Sequence, residues 1–179
     1  MVDMITDLRY PIGRFTCPTS LTDASRAAAI AAIADTPKQL RNAVHGLSDA
    51  QLDTPYRPGG WTVRQLVHHV PDSHMNAYVR TRLALTEENP TIKTYEEAKW
   101  AELADAKSMP VDVSLTMLDT LHSRWVALLR SMTPAQFSRT INHPESGPMT
   151  LDTILAMYAW HGAHHVAHVT ELRRREGWT

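Results

Sequence analysis

Apolar side chains return every three or four positions along most of this 179-residue chain, and that period confines it to helices packed on helices. Leu115, Leu118, Leu121, Trp125, Leu128 and Met132 form a near-heptad seam, which predicts a long helix from about Ser114 to Met132. Ile30, Ile33, Leu40, Val44 and Leu47 mark another helix from Leu21 onward, with Pro37 expected to kink or break it. Alternating β-branched runs are scarce, so no hairpin is expected. Start and stop chemistry divides the chain further. Ser48 with Gln51, and Thr62 with Gln65, are capping-box pairs. The second opens a long helix running to about Glu88, before Asn89-Pro90. Thr94 is expected to cap a shorter helix carrying Trp100 and Leu103, and Thr133 with Pro134 to open another. A last long helix starts at Thr150 and ends near Glu176, where Arg173, Arg174 and Arg175 suit the helix dipole and Gly177 the C-cap.

Residues 1–20 read as an irregular N-terminal arm, with Pro11, Gly13 and Pro18 as breakers. Segments 54–60 and 142–148 read as loops. The expected architecture is one all-α domain over residues 1–179, a four-helix bundle with short connecting helices. A weak internal echo supports two halves. Ser48–Leu52 resembles Thr133–Phe137, and each precedes a Pro/Gly loop and a Thr-capped helix.

The net charge of −1 carries no basic excess, which argues against nucleic acid or an anionic membrane surface as partner. No apolar run is long enough to span a bilayer. A single cysteine, Cys17, excludes an internal disulfide framework and suggests a reducing compartment. Residues 1–7 show acids and no apolar h-region, so a cytoplasmic location is expected.

Against this ordinary background stand 10 histidines, four of them at 161, 164, 165 and 168. Residues four apart on a helix lie on one face. In the last helix the core stripe is Ile154, Tyr158, His161, His165 and Leu172, so His161 and His165 occupy inward positions. In the second long helix Leu66, His69, Val70, Ser73, Asn76 and Ala77 form the inward face. Two inward imidazoles facing a third make an open three-nitrogen site suited to Zn²⁺, with Ni²⁺ or another late divalent ion as alternatives. Three protein ligands leave a vertex for water, as in catalytic rather than structural zinc sites. His68, His164 and His168 are read as outer-shell or surface residues. His45, His74, His122 and His143 are read as having no part in the site, with a core or second-shell group as the alternative for His122. Asp72 and Asn76 are weak candidates for orienting His69.

Tyr10-Pro-Ile-Gly13, Leu52-Asp-Thr-Pro-Tyr-Arg57, Gly59-Gly-Trp-Thr-Val-Arg-Gln65, His68-His69, Asp72-Ser-His-Met-Asn76, Leu85-Thr-Glu-Glu88, Arg124-Trp125, His143-Pro144, Trp160-His161, Thr170-Glu-Leu172 and Gly177-Trp178 follow one another along nearly the whole chain. In these words the chain resembles the DinB-like superfamily, and within it the YfiT-like metal-dependent hydrolases, a group that includes bacillithiol S-transferases. The resemblance implies a four-helix bundle, often a homodimer, with one Zn²⁺ or Ni²⁺ per subunit held by three histidines, here His69, His161 and His165. Pro71 departs from the pattern. A proline there removes an amide donor and crowds the Val67 carbonyl, at a cost of about 3 kcal/mol or more, so a bend is expected at residues 67–71.

An open three-histidine metal activates either water or a thiol for attack on an electrophilic small molecule. The expected function is therefore a metal-dependent hydrolase, or an S-transferase using a low-molecular-weight thiol of the bacillithiol kind. The alternative is a non-catalytic metal-binding module for helical dimerisation. Nucleic-acid binding is suggested only by the superfamily's DNA-damage name, and the neutral charge opposes it.

Overall fold

A computed structural model describes residues 7–179, so the expectation that residues 1–6 hold no secretory leader lies outside the described residues. In chain order the elements are α1 (Asp23–Val44), α2 (Asp49–Leu52), α3 (Val63–Thr86), α4 (Glu97–Trp100), α5 (Ala104–Ser108), α6 (Val111–Ser131), α7 (Pro134–Phe137), β1 (Thr140–His143), β2 (Gly147–Thr150) and α8 (Leu151–Glu176). Residues 7–22 lie outside these elements.

Capping places most helix starts. Ser48, Thr62 and Thr133 each form a full capping box with the glutamine three residues on, and Thr22 and Thr150 accept from the third backbone amide of their helices. Gly177 ends α8 at φ +65°, a left-handed C-cap that glycine adopts without strain. Three boundaries differ from expectation. Thr94 caps nothing; Glu96 precedes α4 without a side-chain cap, and Leu103 is the N-cap residue of α5. α6 starts at Val111, behind Pro110. Residues 140–150 form an antiparallel hairpin instead of a loop, pairing Thr140 with Thr150 and His143 with Gly147. Each strand has four residues, too short for alternation to show in the sequence. Gly147, at φ +74°, supplies the left-handed residue after a three-residue turn.

Neither internal proline breaks its helix. α1 continues through Pro37 and α3 through Pro71, each as one element, and both prolines are buried. At Pro71 the cost is one backbone hydrogen bond at the Val67 carbonyl, and packing around the buried ring opposes it.

The four long helices surround the core in the order α1, α8, α3, α6. Arg26 of α1 grips Asp152 of α8 through two bonds of 2.8 and 2.7 Å, and Arg173 at the far end of α8 donates to the carbonyls of Ala43 and His45. These ties make α1 and α8 parallel neighbours. α3 runs parallel to α6, with His68 bonded to Ser114 and His74 to His122. A parallel neighbour requires a return crossing, which residues 87–110 with α4 and α5 provide. Buried Arg64 fastens this crossing by donating to Asp53, Asp49 and the Met109 carbonyl.

The echo between halves is physical. The Val63 amide donates to the Thr54 carbonyl across the first loop, and the Leu151 amide donates to the Arg139 carbonyl across the hairpin. The core itself has two apolar parts. Ile33, Trp125, Ile154 and Leu155 center one; Leu40, Leu66, Leu118 and Val169 center the other. Between them, each long helix contributes polar residues: Thr36 from α1, His69, Ser73 and His74 from α3, His122 from α6, and His161, His164, His165 and His168 from α8.

Candidate metal centre

This polar waist holds the predicted residues. His69 comes from α3, and His161 and His165 from successive turns of α8. His161 Nε2 lies 3.4 Å from His69 Nε2 and 3.2 Å from His165 Nε2. One ring nitrogen from each of the three falls within 4.8 Å of the others. Nitrogens at 2.0–2.1 Å around a tetrahedral ion sit about 3.3 Å apart, so the spacing fits a shared cation. It fits a hydrogen-bonded cluster poorly, because His161 Nε2 faces two neighbours with one in-plane lone pair.

Burial keeps these rings neutral. It pushes His69 down to about 4, and His161 and His165 well below the ordinary imidazole value, with the neighbouring histidines adding to the shift in the latter two. Neutral imidazole is the ligating form.

Behind His161 runs a chain of rings. The Ile33 carbonyl can only accept, so His122 donates to it from Nδ1 at 2.7 Å. The His122 Nε2 lone pair then accepts from His74 Nδ1 at 2.8 Å. That leaves His74 Nε2 as acceptor for His161 Nδ1 at 3.1 Å. One backbone carbonyl thereby fixes three tautomers, and the His161 Nε2 lone pair is aimed at His69 and His165. Trp125 and Tyr158 stand edge-on to His74, with centroids 5.9 and 5.1 Å away, and hold its plane.

His74, which the sequence reads as having no part in the site, touches His161 directly. His68, His164 and His168, read as outer-shell or surface residues, are all buried, which excludes only the surface alternative. His68 donates from Nε2 to the Met109 carbonyl and accepts from Ser114, anchoring α3 to the start of α6. His164 stacks on Trp160 at 4.3 Å and His168 packs on Tyr56 at 4.2 Å. Asn76 donates to the Asp72 carbonyl within α3, and among the described residues no hydrogen bond joins Asp72 or Asn76 to the three histidines. The Asp72 carboxyl is raised to about 6, chiefly by burial and then by Asp105.

The triad opens on a cavity of about 380 Å³ walled by Trp61, Trp160, Arg57 and Glu97. Trp61 packs on His69 with ring centroids 4.8 Å apart. Glu97, which the sequence did not single out, also lines a neighbouring cavity. Desolvation raises its carboxyl above the ordinary value, against the pull of Arg80.

Residues 32–169 match the DinB superfamily. A Bacillus mycoides (strain KBAB4) protein named "Putative metal-dependent hydrolase" is 59% identical over 172 residues, covering 96% of this chain and 99% of that protein. A relative of the same description from Bacillus cereus (strain B4264) is 57% identical over 174 residues, covering 97% and 100%. Among solved structures, YfiT from Bacillus subtilis, described as a probable metal-dependent hydrolase with an unusual four-helix bundle topology, superposes with a TM-score of 0.94 at 48% identity, covering 96% of this chain and 99% of that one. The four-helix bundle protein TT2238 shares the fold, with a TM-score of 0.57 at 20% identity. With the bundle, its parallel helix pairs and these matches together, the chain belongs to the DinB superfamily.

Proposed function

We propose that this chain is a metal-dependent enzyme acting on an electrophilic small molecule, with His69, His161 and His165 holding one Zn²⁺, Ni²⁺ or similar divalent ion per subunit. The convergence of three neutral imidazole nitrogens on a cavity wall, with those of His69 and His165 at 3.4 and 3.2 Å from His161 and all three within 4.8 Å of one another, carries this reading. When bound, such an ion supplies Lewis acidity that makes a water or a thiol nucleophilic near neutral pH.

The chain's own residues do the rest. The His122–His74 relay keeps the His161 lone pair directed at the site. Trp61 and Trp160 shield one side of the cavity from water. Glu97, at the cavity edge with its raised pKa, accepts the proton released by the nucleophile and returns it to the leaving group. Water as nucleophile makes the enzyme a hydrolase, the activity for which its relatives are named. A low-molecular-weight thiol of the bacillithiol kind in the same place makes it an S-transferase. A homodimer is consistent with Val113 and Met117, exposed one turn apart on α6, and the exposed, unpaired Cys17 is consistent with a reducing, cytoplasmic setting.

One experiment covers these claims. The protein is loaded with Zn²⁺ or Ni²⁺, its metal content and mass are measured, and monobromobimane and p-nitrophenyl acetate are supplied with and without cysteine. One ion per chain, its loss in His161→Ala, and slower turnover in Glu97→Gln with metal content intact are expected. Thiol-independent turnover would end the S-transferase reading. A loaded protein inert to both reagents would instead favour the non-catalytic dimerisation module.

A further inference from the structure

A second cavity, of about 320 Å³, shares His161 and Glu97 with the first. A molecule spanning both would run from the histidines into this space. The hydroxyl-bearing Ser73, Tyr95 and Tyr158 wall it beside apolar Ile154 and Met157. One permanent cation lines it, Arg80 of α3.

Arg80 acts on its surroundings by charge, on Glu97 and on the Tyr158 hydroxyl, but its own donors are poorly matched. Its Nε is buried without a hydrogen-bond partner. Among the described residues its guanidinium makes one long hydrogen bond, 3.4 Å to the Lys93 carbonyl, and no carboxylate lies within 4.0 Å of it. Arg26 and Arg64, by contrast, are each paired with two aspartates. A buried donor left without an acceptor is costly, and the planar guanidinium fork matches a planar anion.

Resting on the reading of the histidine site given above, we propose that this cavity seats the carboxylate of the substrate. Arg80 donates to the carboxylate oxygens, Tyr95 supplies a further hydroxyl, and the reacting centre lies toward the three histidines. The planar guanidinium matches the two oxygens of a carboxylate, and Glu97 and Glu145, which also line the cavity, oppose a second negative charge on the ligand such as a phosphate dianion carries. Ile154 and Met157 suit a hydrocarbon skeleton between the carboxylate and the reacting group.

Benzoate, benzamide and phenyl phosphate are the probes, titrated by NMR into metal-free and metal-loaded protein. Benzoate is expected to bind both forms, with benzamide about tenfold weaker or more. Arg80→Gln should weaken benzoate by a similar factor with metal content unchanged, and Arg80→Lys should restore part of the loss. If Arg80→Gln does not fold, Tyr95→Phe, which changes a residue outside the helices, should bind benzoate severalfold less well. Equal binding of benzamide, or benzoate binding untouched by these substitutions, overturns the proposal. So does tighter binding of phenyl phosphate, and so does benzoate binding that appears only on metal loading. Failure to take up metal would refute the proposed function alone, because benzoate on Arg80 remains measurable in the metal-free protein.

Discussion

His122 shows how one residue acts at a distance. Its ring is 2% exposed and occupies a seam position of α6, where Leu115, Leu118, Trp125 and Leu129 are its buried neighbours. The expected seam used Leu121 and Leu128, and both are only half-buried. Hydrophobicity favoured the leucines, whereas the packed face runs through the histidine. Replacing it with leucine keeps the bulk and removes the acceptor that fixes His74. His161 is then free to place its proton on either nitrogen. His122→Leu should therefore weaken metal binding about 10–100-fold, the usual range for loss of an outer-shell partner. Isothermal titration with Zn²⁺ measures the affinity, and ¹⁵N shifts of the His161 ring report its tautomer. An unchanged affinity would show that the relay does not orient the ligand. Asp72, the orienting candidate taken from spacing alone, makes no hydrogen bond to the triad among the described residues, and the charge that acts on its carboxyl is that of Asp105.

Gly162 governs how α8 meets α1. A Cβ built there would lie 2.5 Å from Thr36 Oγ1 and 2.8 Å from its Cγ2, inside contact distance of a buried, β-branched side chain. Alanine normally improves a helix by about 1 kcal/mol over glycine. Here the overlap is expected to reverse that sign, since overpacking a filled interface costs about 1–3 kcal/mol. Gly162→Ala should lower the melting temperature, and adding Thr36→Ala should recover much of the loss; a more stable single variant would show that the helices part easily. The neighbours of Gly162 in sequence make the clash functional as well, because pushing α8 outward carries His161 and His165 with it. α3 teaches the opposite lesson about backbone rules. Pro71 stands two residues from His69 and leaves the helix continuous and His69 in reach of His161.

Across the whole molecule, the two apolar cores are separated by a layer of imidazoles that folding forces to be neutral. Burial pushes His69, His122, His164 and His168 each down to about 4, while an unfolded histidine titrates near 6.5. Between those values the unfolded chain binds protons that the folded chain refuses. Stability is therefore present above about pH 6.5 and declines as pH falls toward about 4, by about 1.4 kcal/mol per pH unit for each such histidine. Urea midpoints of the metal-free protein, taken from pH 7.5 to 4.5, measure that slope. A flat profile would mean that the rings are already charged or become solvated on protonation. Metal should shift the decline to lower pH, because it binds the same neutral form.

The four long helices, most of their starts and the inward setting of His69, His161 and His165 were legible in the chain, because capping and helical period act over a few residues; the one short helix expected after Thr94 is two, α4 and α5. Thr62 with Gln65 closes a box within one turn, and His161 with His165 share a face whatever surrounds them. The hairpin, the parallel pairing of α3 with α6, the relay from the Ile33 carbonyl to His161 and the unpaired Arg80 beside it were decided by packing. His122 is 89 residues from the carbonyl that fixes its tautomer, and no local pattern records a contact made only when four helices close on one another.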